Sequence, residues 1–270
     1  MTSLAAAIAR DSRGPTALYL LTDSRITWIE HTERWDAGRK TFGSPVSADV
    51  FGYCGDAYFM PMALGQVLSM VACGVINLNT ATSEERHSIV LNQLKNSLGR
   101  ISTKYASNVT LFHGARDGEG MKSTFRLWRS VYRPAPKSWS DSELPVENRS
   151  YLAKIDGTGK ATLQKFEAKM NETAASGTSR AAIHAFCKSL KSAEDPFSGG
   201  APQMVGLWRI GSAKQFGYYW QGRFYIAGME CPNSAGRENI DWFNELFERC
   251  DPETGLRREG SANHKTSLKA

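Results

Sequence analysis

Thr2, directly behind Met1, is the residue of this chain whose chemistry is most distinctive. Once Met1 is removed, one residue carries both a hydroxyl nucleophile and a free α-amine. An α-amine titrates near pH ~8, so its neutral form is accessible at working pH. It can take the proton of its own hydroxyl, directly or through a water. Further along come Thr22-Asp23-Ser24-Arg25-Ile26-Thr27, then Gly38-Arg39-Lys40, then Gly52-Tyr53-Cys54-Gly55-Asp56-Ala57. Taken singly, Lys40 reads as a surface lysine, Asp23 as a turn residue, Gly55 as a helix-start glycine and Thr2 as a frayed terminus. Their joint spacing carries the signal.

The elements that must position these residues follow from periodicity. Residues 4–9 and 17–22 are short apolar runs joined by Arg10-Asp11-Ser12-Arg13-Gly14-Pro15, a strong turn signal. Paired antiparallel, they bring Thr2 and Asp23 together at the open end of a hairpin. Residues 46–53 read as a further strand. Residues 56–70 carry apolar side chains at helical spacing, and Thr82-Ser83-Glu84-Glu85 opens a second helix whose stripe is Ile89, Val90, Leu94, Leu98 and Ile101. Strands are expected over 108–113, 124–131, 150–155 and 161–166, a helix over 179–191, and strands over 203–210 and 216–226. Asp156-Gly157-Thr158-Gly159 reads as a hairpin turn. Residues 134–147 read as a long polar loop, and the chain from Pro252 onward as disordered. Helices segregated between antiparallel hairpins point to an α+β fold and not to a parallel sheet.

The totals exclude several classes. The chain has 270 residues, 41% hydrophobic and 22% charged, as in ordinary globular proteins. No apolar run reaches the ~20 residues that cross a bilayer. Residues 1–10 lack a basic n-region and their apolar stretch stops at Arg10, so they read as a buried strand and the compartment as cytoplasmic. Cys54, Cys73, Cys187, Cys231 and Cys250 are scattered without a C-x-x-C, which argues against a disulfide framework or a zinc site. Cys54 reads as a buried strand cysteine and His184 as a core or surface histidine. There is no G-x-S-x-G, Walker A or G-x-G-x-x-G. The net charge of +6 permits nucleic-acid contact without requiring it. Its basic-aromatic part, Arg126, Arg129 and Arg133 with Trp128 and Tyr132, reads more readily as a solvated face than as a binding patch.

Asp23-Ser24-Arg25-x-Thr27, Lys40, and Gly55 ahead of a helix closely resemble the catalytic pattern of proteasome β-subunits and of bacterial proteasome-like peptidases, which are N-terminal-nucleophile (Ntn) hydrolases. Ala175-Ser176-Gly177-Thr178-Ser179 before a helix, then Asp195-Pro196-Phe197-Ser198-Gly199-Gly200, resemble that family's downstream support segments. The resemblance spans residues 2–211. It implies a four-layer αββα sandwich of two packed antiparallel sheets, as one domain over 1–250 with a tail over 251–270. It implies a threonine peptidase that cleaves a polypeptide through an acyl-enzyme on Thr2, with no metal or organic cofactor. Thr2 attacks while its α-amine acts as base. Lys40 favours the deprotonated forms, Asp23 fixes Lys40, and the Gly55 N–H enters the oxyanion hole. Ser176, Asp195 and Ser198 orient the amine. The backbones of Thr27 and Ala57 pair with an extended substrate, and Ile26, Gly38, Phe42 and Tyr53 line an apolar pocket partly filled by Tyr53. A homo-oligomer, as in the family's rings, is implied; an ATP-dependent unfoldase is not shown by the sequence. Maturation needs only a methionine aminopeptidase.

The chain also departs from the pattern. Residues 11–16 lengthen the first hairpin, and Asp56 follows the oxyanion glycine, putting a carboxylate near the site. Residues 116–148 are expanded. Residues 212–250 extend the chain, with an amphipathic helix expected from Ile240, Trp242, Phe243, Leu246 and Phe247. Two alternatives stay open: an Ntn amidase acting on a small amide, and a non-catalytic proteasome-like shell subunit that keeps Met1.

Overall fold

The computed structural model describes residues 2–28, 33–78, 81–102, 104–231 and 235–262. In chain order the elements are β1 (Ser3–Asp11), β2 (Gly14–Thr22), β3 (Ile26–Trp28), β4 (Glu33–Trp35), β5 (Thr41–Gly43), β6 (Asp49–Gly55), α1 (Phe59–Ala72), α2 (Ser83–Leu98), β7 (Val109–Asp117), β8 (Thr124–Arg133), β9 (Ser138–Leu144) and β10 (Tyr151–Gly157). There follow α3 (Lys160–Asn171), α4 (Ser179–Ser192), β11 (Gln203–Trp208), β12 (Lys214–Trp220), β13 (Arg223–Ile226), β14 (Met229–Glu230), β15 (Trp242–Phe243) and β16 (Arg249–Cys250). The chain is mixed α+β. One sheet runs β10-β1-β2-β11-β12-β13-β14 with β15 and β16 attached at β12, a second runs β5-β6-β7-β8-β9, and β3 and β4 form a small third. Pairing is antiparallel except between β12 and β15.

Alternation along the strands sorts their side chains onto two faces. Leu4, Ala6, Ile8, Leu18 and Leu20 meet Val50, Cys54, Phe112 and Leu127 in one core cluster. The opposite side chains of β1 and β2, among them Ala5, Ala7 and Leu21, pack on Leu163 of α3 and Ile183, Phe186 and Cys187 of α4. Phe42, Phe51, Tyr53 and Leu111 pack on Met60, Leu64 and Val67 of α1 and Val90 and Leu94 of α2. Burial of each such large side chain contributes ~1.5–3 kcal/mol relative to exposure.

Local signals start the helices. At Thr82 a capping box closes, the Glu85 N–H donating to the Thr82 hydroxyl and the Thr82 N–H to the Glu85 carboxylate. Thr178 caps α4 through the Ala181 N–H, and Ala193 at φ 54 ends it.

Four expectations need correction. Residues 134–147 are not a loop: β9 pairs with β8 from Arg133↔Ser138 to Leu127↔Leu144. Residues 161–166 are not a strand but the first half of α3, which buries only Leu163 and Met170 and so shows a weak stripe. The extension has no amphipathic helix over 240–247; Trp242 and Phe243 lie in β15, their backbones paired to β12. Residues 252–262 are tied back, with the Arg258 N–H donating to Arg249 O at 2.7 Å and the Asp251 N–H to Leu256 O at 2.8 Å; the expectation for 263–270 lies outside the described residues.

Between the first half of α2 and the five-stranded sheet lies a buried polar patch. Asp49, fully buried, accepts from Arg86 Nε at 2.9 and 3.0 Å and faces His113 Nε2 at 3.0 Å. His113 Nδ1 stands 2.9 Å from His87 Nδ1, and His87 Nε2 3.0 Å from Asp141 Oδ2. Trp128 stacks on both rings. The expected basic-aromatic face is therefore divided: Trp128 and Tyr132 are buried, Arg126 pairs with Glu84 and Glu143, and Arg129 pairs with Asp156. No helix among the described residues is long and apolar enough to cross a membrane.

Candidate active site

The register of β1 on β2, Leu4↔Thr22, sets Ser3 across from Asp23. The Asp23 N–H donates to Ser3 O at 3.3 Å, and the Ser3 N–H donates to Asp23 Oδ1 at 3.1 Å. Thr2 is thereby held at the mouth of the hairpin. Lys40 arrives from the segment ahead of β5, and its ammonium donates to Thr2 Oγ1 at 2.7 Å, Asp23 Oδ1 at 2.9 Å and Arg25 O at 2.5 Å. Three acceptors match the three donors of an ammonium. Asp23 Oδ2 accepts from the N–H groups of Arg25 and Gly199, both at 3.0 Å, so its carboxylate meets four donors in all. Thr2, Asp23 and Lys40 are 1%, 0% and 2% exposed, so these contacts form out of water, where electrostatic interactions are stronger. Burial pulls the Lys40 pKa below the ordinary lysine value, with Asp23 opposing.

On the nitrogen side of Thr2 the structure brings up a residue that the sequence reading missed. The Thr2 N–H donates to Thr158 Oγ1 at 3.2 Å, and Thr158 Oγ1 donates to Asp195 Oδ2 at 2.9 Å. Ser198 Oγ donates to the same oxygen at 2.7 Å and lies 2.8 Å from Ser3 Oγ. The resemblance implies Ser176 in this position. The structure places Ser176 ahead of the N-terminus of α4, exposed, whereas Asp195 and Ser198 follow the C-terminus of that helix, about 21 Å away along its axis. The reason is register: β10 pairs with β1 at Ser3↔Gly157, which carries Thr158 to Thr2. Gly157 sits at φ +93, and a Cβ on it would fall 1.8 Å from Thr2 O; only glycine permits that approach.

Gly55 ends β6 two residues after Tyr53, whose N–H donates to Lys40 O at 3.2 Å. It sits at φ +105, and a Cβ there would stand 2.0 Å from Asn108 O. The Asp56 carboxylate is turned toward the start of α1 and the segment ahead of β7. It accepts from the N–H groups of Tyr58 and Phe59 at the start of α1, at 2.8 and 2.6 Å, and from Ser107 N–H at 3.3 Å.

Thr27 lies in β3, opposite Arg34 of β4; no other described strand pairs with β3. Its Oγ1 is buried without a hydrogen-bond partner. Ala57 lies in the turn between β6 and α1. The expected pocket is closed. Tyr53 is 1% exposed, its hydroxyl donating to Arg39 O at 3.1 Å, and Phe42 is 3% exposed beneath the Arg39 guanidinium. Ile26 fills the space over Gly38, where a Cβ would meet Ile26 Cδ1 at 2.4 Å. Tyr53 is thus a core residue, its pKa raised by burial.

Two other groups complete the surroundings. Arg25 grips Asp36 through Nε and Nη2 at 2.7 and 2.8 Å and reaches Pro196 O at 3.1 Å, joining the Asp23 segment to the Asp195 segment. Gln203, fully buried at the start of β11, touches both the Asp23 and the Lys40 backbones. The signal for it was a lone amide heading an otherwise apolar strand. Burial raises the Cys54 thiol to about 11, with Asp156 reinforcing, so Cys54 is no rival nucleophile. Among the described residues no group of three or more His, Cys, Asp or Glu is placed to hold a metal ion. The chain matches no protein-family model and no curated protein.

Proposed function

We propose that this chain is a threonine-type Ntn hydrolase with a four-layer αββα sandwich, and that it cleaves peptide bonds through an acyl-enzyme on Thr2 after Met1 is removed. The observation that carries this reading is the Lys40 ammonium donating at once to Thr2 Oγ1 and to Asp23. Support for the sandwich comes from the core clusters: α1 and α2 against one sheet, α3 and α4 against the other, and an apolar seam between the sheets.

With Met1 gone, Thr2 N becomes an amine held toward Thr158. The amine takes the Oγ proton while Oγ bonds to the substrate carbonyl carbon. Lys40 stabilises the developing alkoxide, and the Gly55 N–H meets the oxyanion, a contribution of about 3 kcal/mol in other hydrolases. The protonated amine then gives its proton to the departing nitrogen as the C–N bond breaks. Water, deprotonated by the same amine, cleaves the ester and restores Thr2. Thr158 and Asp195 hold that nitrogen throughout. The rate rises with pH as the amine loses its proton, and falls again where Lys40 loses its own, below the ordinary lysine value.

The closed pocket favours a second reading, an amidase for small amides. Tyr53, Phe42 and Ile26 leave little room beside Thr2 for a large acyl side chain. Intact mass of the purified protein, together with turnover of peptide and small-amide libraries, decides the matter. Loss of Met1 with turnover of either library supports a hydrolase and names its class. Retention of Met1 with no turnover supports the shell subunit and refutes the proposal.

A further inference from the structure

Lys40 lies outside any strand, in the segment that leads into β5. Its ammonium can serve Thr2 only if that backbone is held, and the carboxamide of Gln203 holds it. Gln203 Oε1 accepts from the Lys40 N–H at 3.0 Å and from the Thr41 hydroxyl at 3.4 Å. Gln203 Nε2 donates to Gly38 O at 2.7 Å and to Asp23 O at 3.0 Å. Both donors and both acceptor positions of the amide are used, on a side chain 1% exposed. One amide thus ties the Asp23 backbone, the Lys40 backbone and β11 together.

Gln203 is itself closed in by the extension. The turn between β13 and β14 runs through Ala227 at φ 50 and Gly228 at φ 86. A Cβ on Gly228 would stand 2.8 Å from Ser24 Cβ, 3.0 Å from Gln203 Nε2 and 3.2 Å from Gly38 O. The turn presses on Gln203 from outside, and only glycine fits there.

We propose that Gln203 is the positioning residue for Lys40, and that the Gly228 turn of the C-terminal extension keeps it in place. Its effect on catalysis rests on the reading of Thr2 as the nucleophile. Without the amide, the two segments keep the Gly38 N–H on Ser24 O at 2.8 Å and the Tyr53 N–H on Lys40 O at 3.2 Å but lose four bonds around Lys40, and the Lys40 backbone shifts. A displacement near 1 Å at such a contact costs about 10²-fold in rate.

Three variants test this. Gln203→Met keeps the length and loses all four bonds. Gln203→Glu keeps the acceptor for the Lys40 N–H but turns an oxygen on the Gly38 and Asp23 carbonyls. Gly228→Ala leaves Gln203 intact and displaces it. For each, the rate of Thr2 modification by a peptide epoxyketone is measured per folded molecule as a function of pH. The Lys40 pKa is followed by carbon-13 NMR of labelled lysine. The expected result is a loss of about 10²-fold in both Gln203 variants, a smaller loss in Gly228→Ala, and a moved Lys40 pKa in all three. If Gln203→Met does not fold, Gly228→Ala carries the same test. A wild-type rate and an unmoved Lys40 pKa in the folded variants would overturn the proposal. If the wild-type protein is not modified at Thr2, the nucleophile reading fails instead, and the Lys40 pKa still decides the role of Gln203.

Discussion

Two buried charge networks lie at the two ends of β6. At its start, Asp49 binds Arg86 and His113, and His113 leads through His87 to Asp141. Near its end, Asp23 binds Lys40, and Lys40 binds Thr2. Both bury a carboxylate completely, and both satisfy it with cationic and N–H donors. The difference lies in what is left over. In the first network both Nε2 atoms face carboxylates and the two Nδ1 atoms face each other, so every ring nitrogen is engaged within the network. Burial and the neighbouring His113 lower the His87 pKa to about 4. Burial alone would raise Asp49, and His113 and Arg86 more than offset it, so its pKa falls. The charges close on one another beneath stacked rings. The second network ends on a hydroxyl that is not itself charged and can form a bond. Buried charge alone therefore does not mark a site; what sets the second network apart, on the proposed reading, is the Thr2 hydroxyl at its end.

The largest effect expected is in the second network. Thr2→Ala abolishes turnover and leaves the melting temperature nearly unchanged, because Asp23 and Lys40 keep each other. Lys40→Ala lowers turnover by about 10⁴-fold or more and destabilises the chain by ~3–5 kcal/mol, because the buried Asp23 loses its counter-ion. Turnover in Thr2→Ala at the wild-type rate would erase the distinction between the networks.

Arg86→Met makes the converse break. It uncovers Asp49 and costs ~3–5 kcal/mol in denaturant unfolding, while modification of Thr2 per folded molecule stays at the wild-type rate. A parallel loss of reactivity would mean that the networks are coupled along β6.

The smallest effect is a pH dependence. His87 titrates near 6.5 when unfolded and at about 4 when folded, so the unfolded chain binds more protons between these values. The corresponding stability, at most about 3 kcal/mol, is complete above pH ~6.5 and is lost as pH falls through ~4. Urea unfolding across this range shows the loss in the wild-type protein and not in His87→Gln. Equal slopes in the two would place the acid sensitivity elsewhere.

How much of this was written locally differs by residue. The hairpin that joins Thr2 to Asp23 was legible, because two apolar runs around a Gly-Pro turn admit one pairing. The capping box at Thr82 was legible for the same local reason. Thr158 was not. Asp156-Gly157-Thr158-Gly159 reads as a hairpin turn but leads into α3, and it is the pairing of β10 with β1 that carries Thr158 to Thr2. Nor was β9, a strand of Ser, Asp and Glu on a sheet edge, held by its ladder to β8 and by Asp141 contacts to Ser130 and His87. In the extension, the aromatic run suggested a helix stripe. It forms a strand because Gly217 lets the Trp242 ring lie on the β12 backbone, where a Cβ would come within 2.3 Å of it.

The central claim is that Thr2 carries the reactive hydroxyl and amine together. A peptide epoxyketone needs both groups on one residue to close its ring adduct. Purified protein is treated with it, and the intact mass and the N-terminal peptide are read by mass spectrometry. The account predicts loss of Met1 and one added inhibitor mass, located on Thr2 and absent from Thr2→Ala. A chain that has lost Met1 and yet takes up no inhibitor at Thr2 would contradict it.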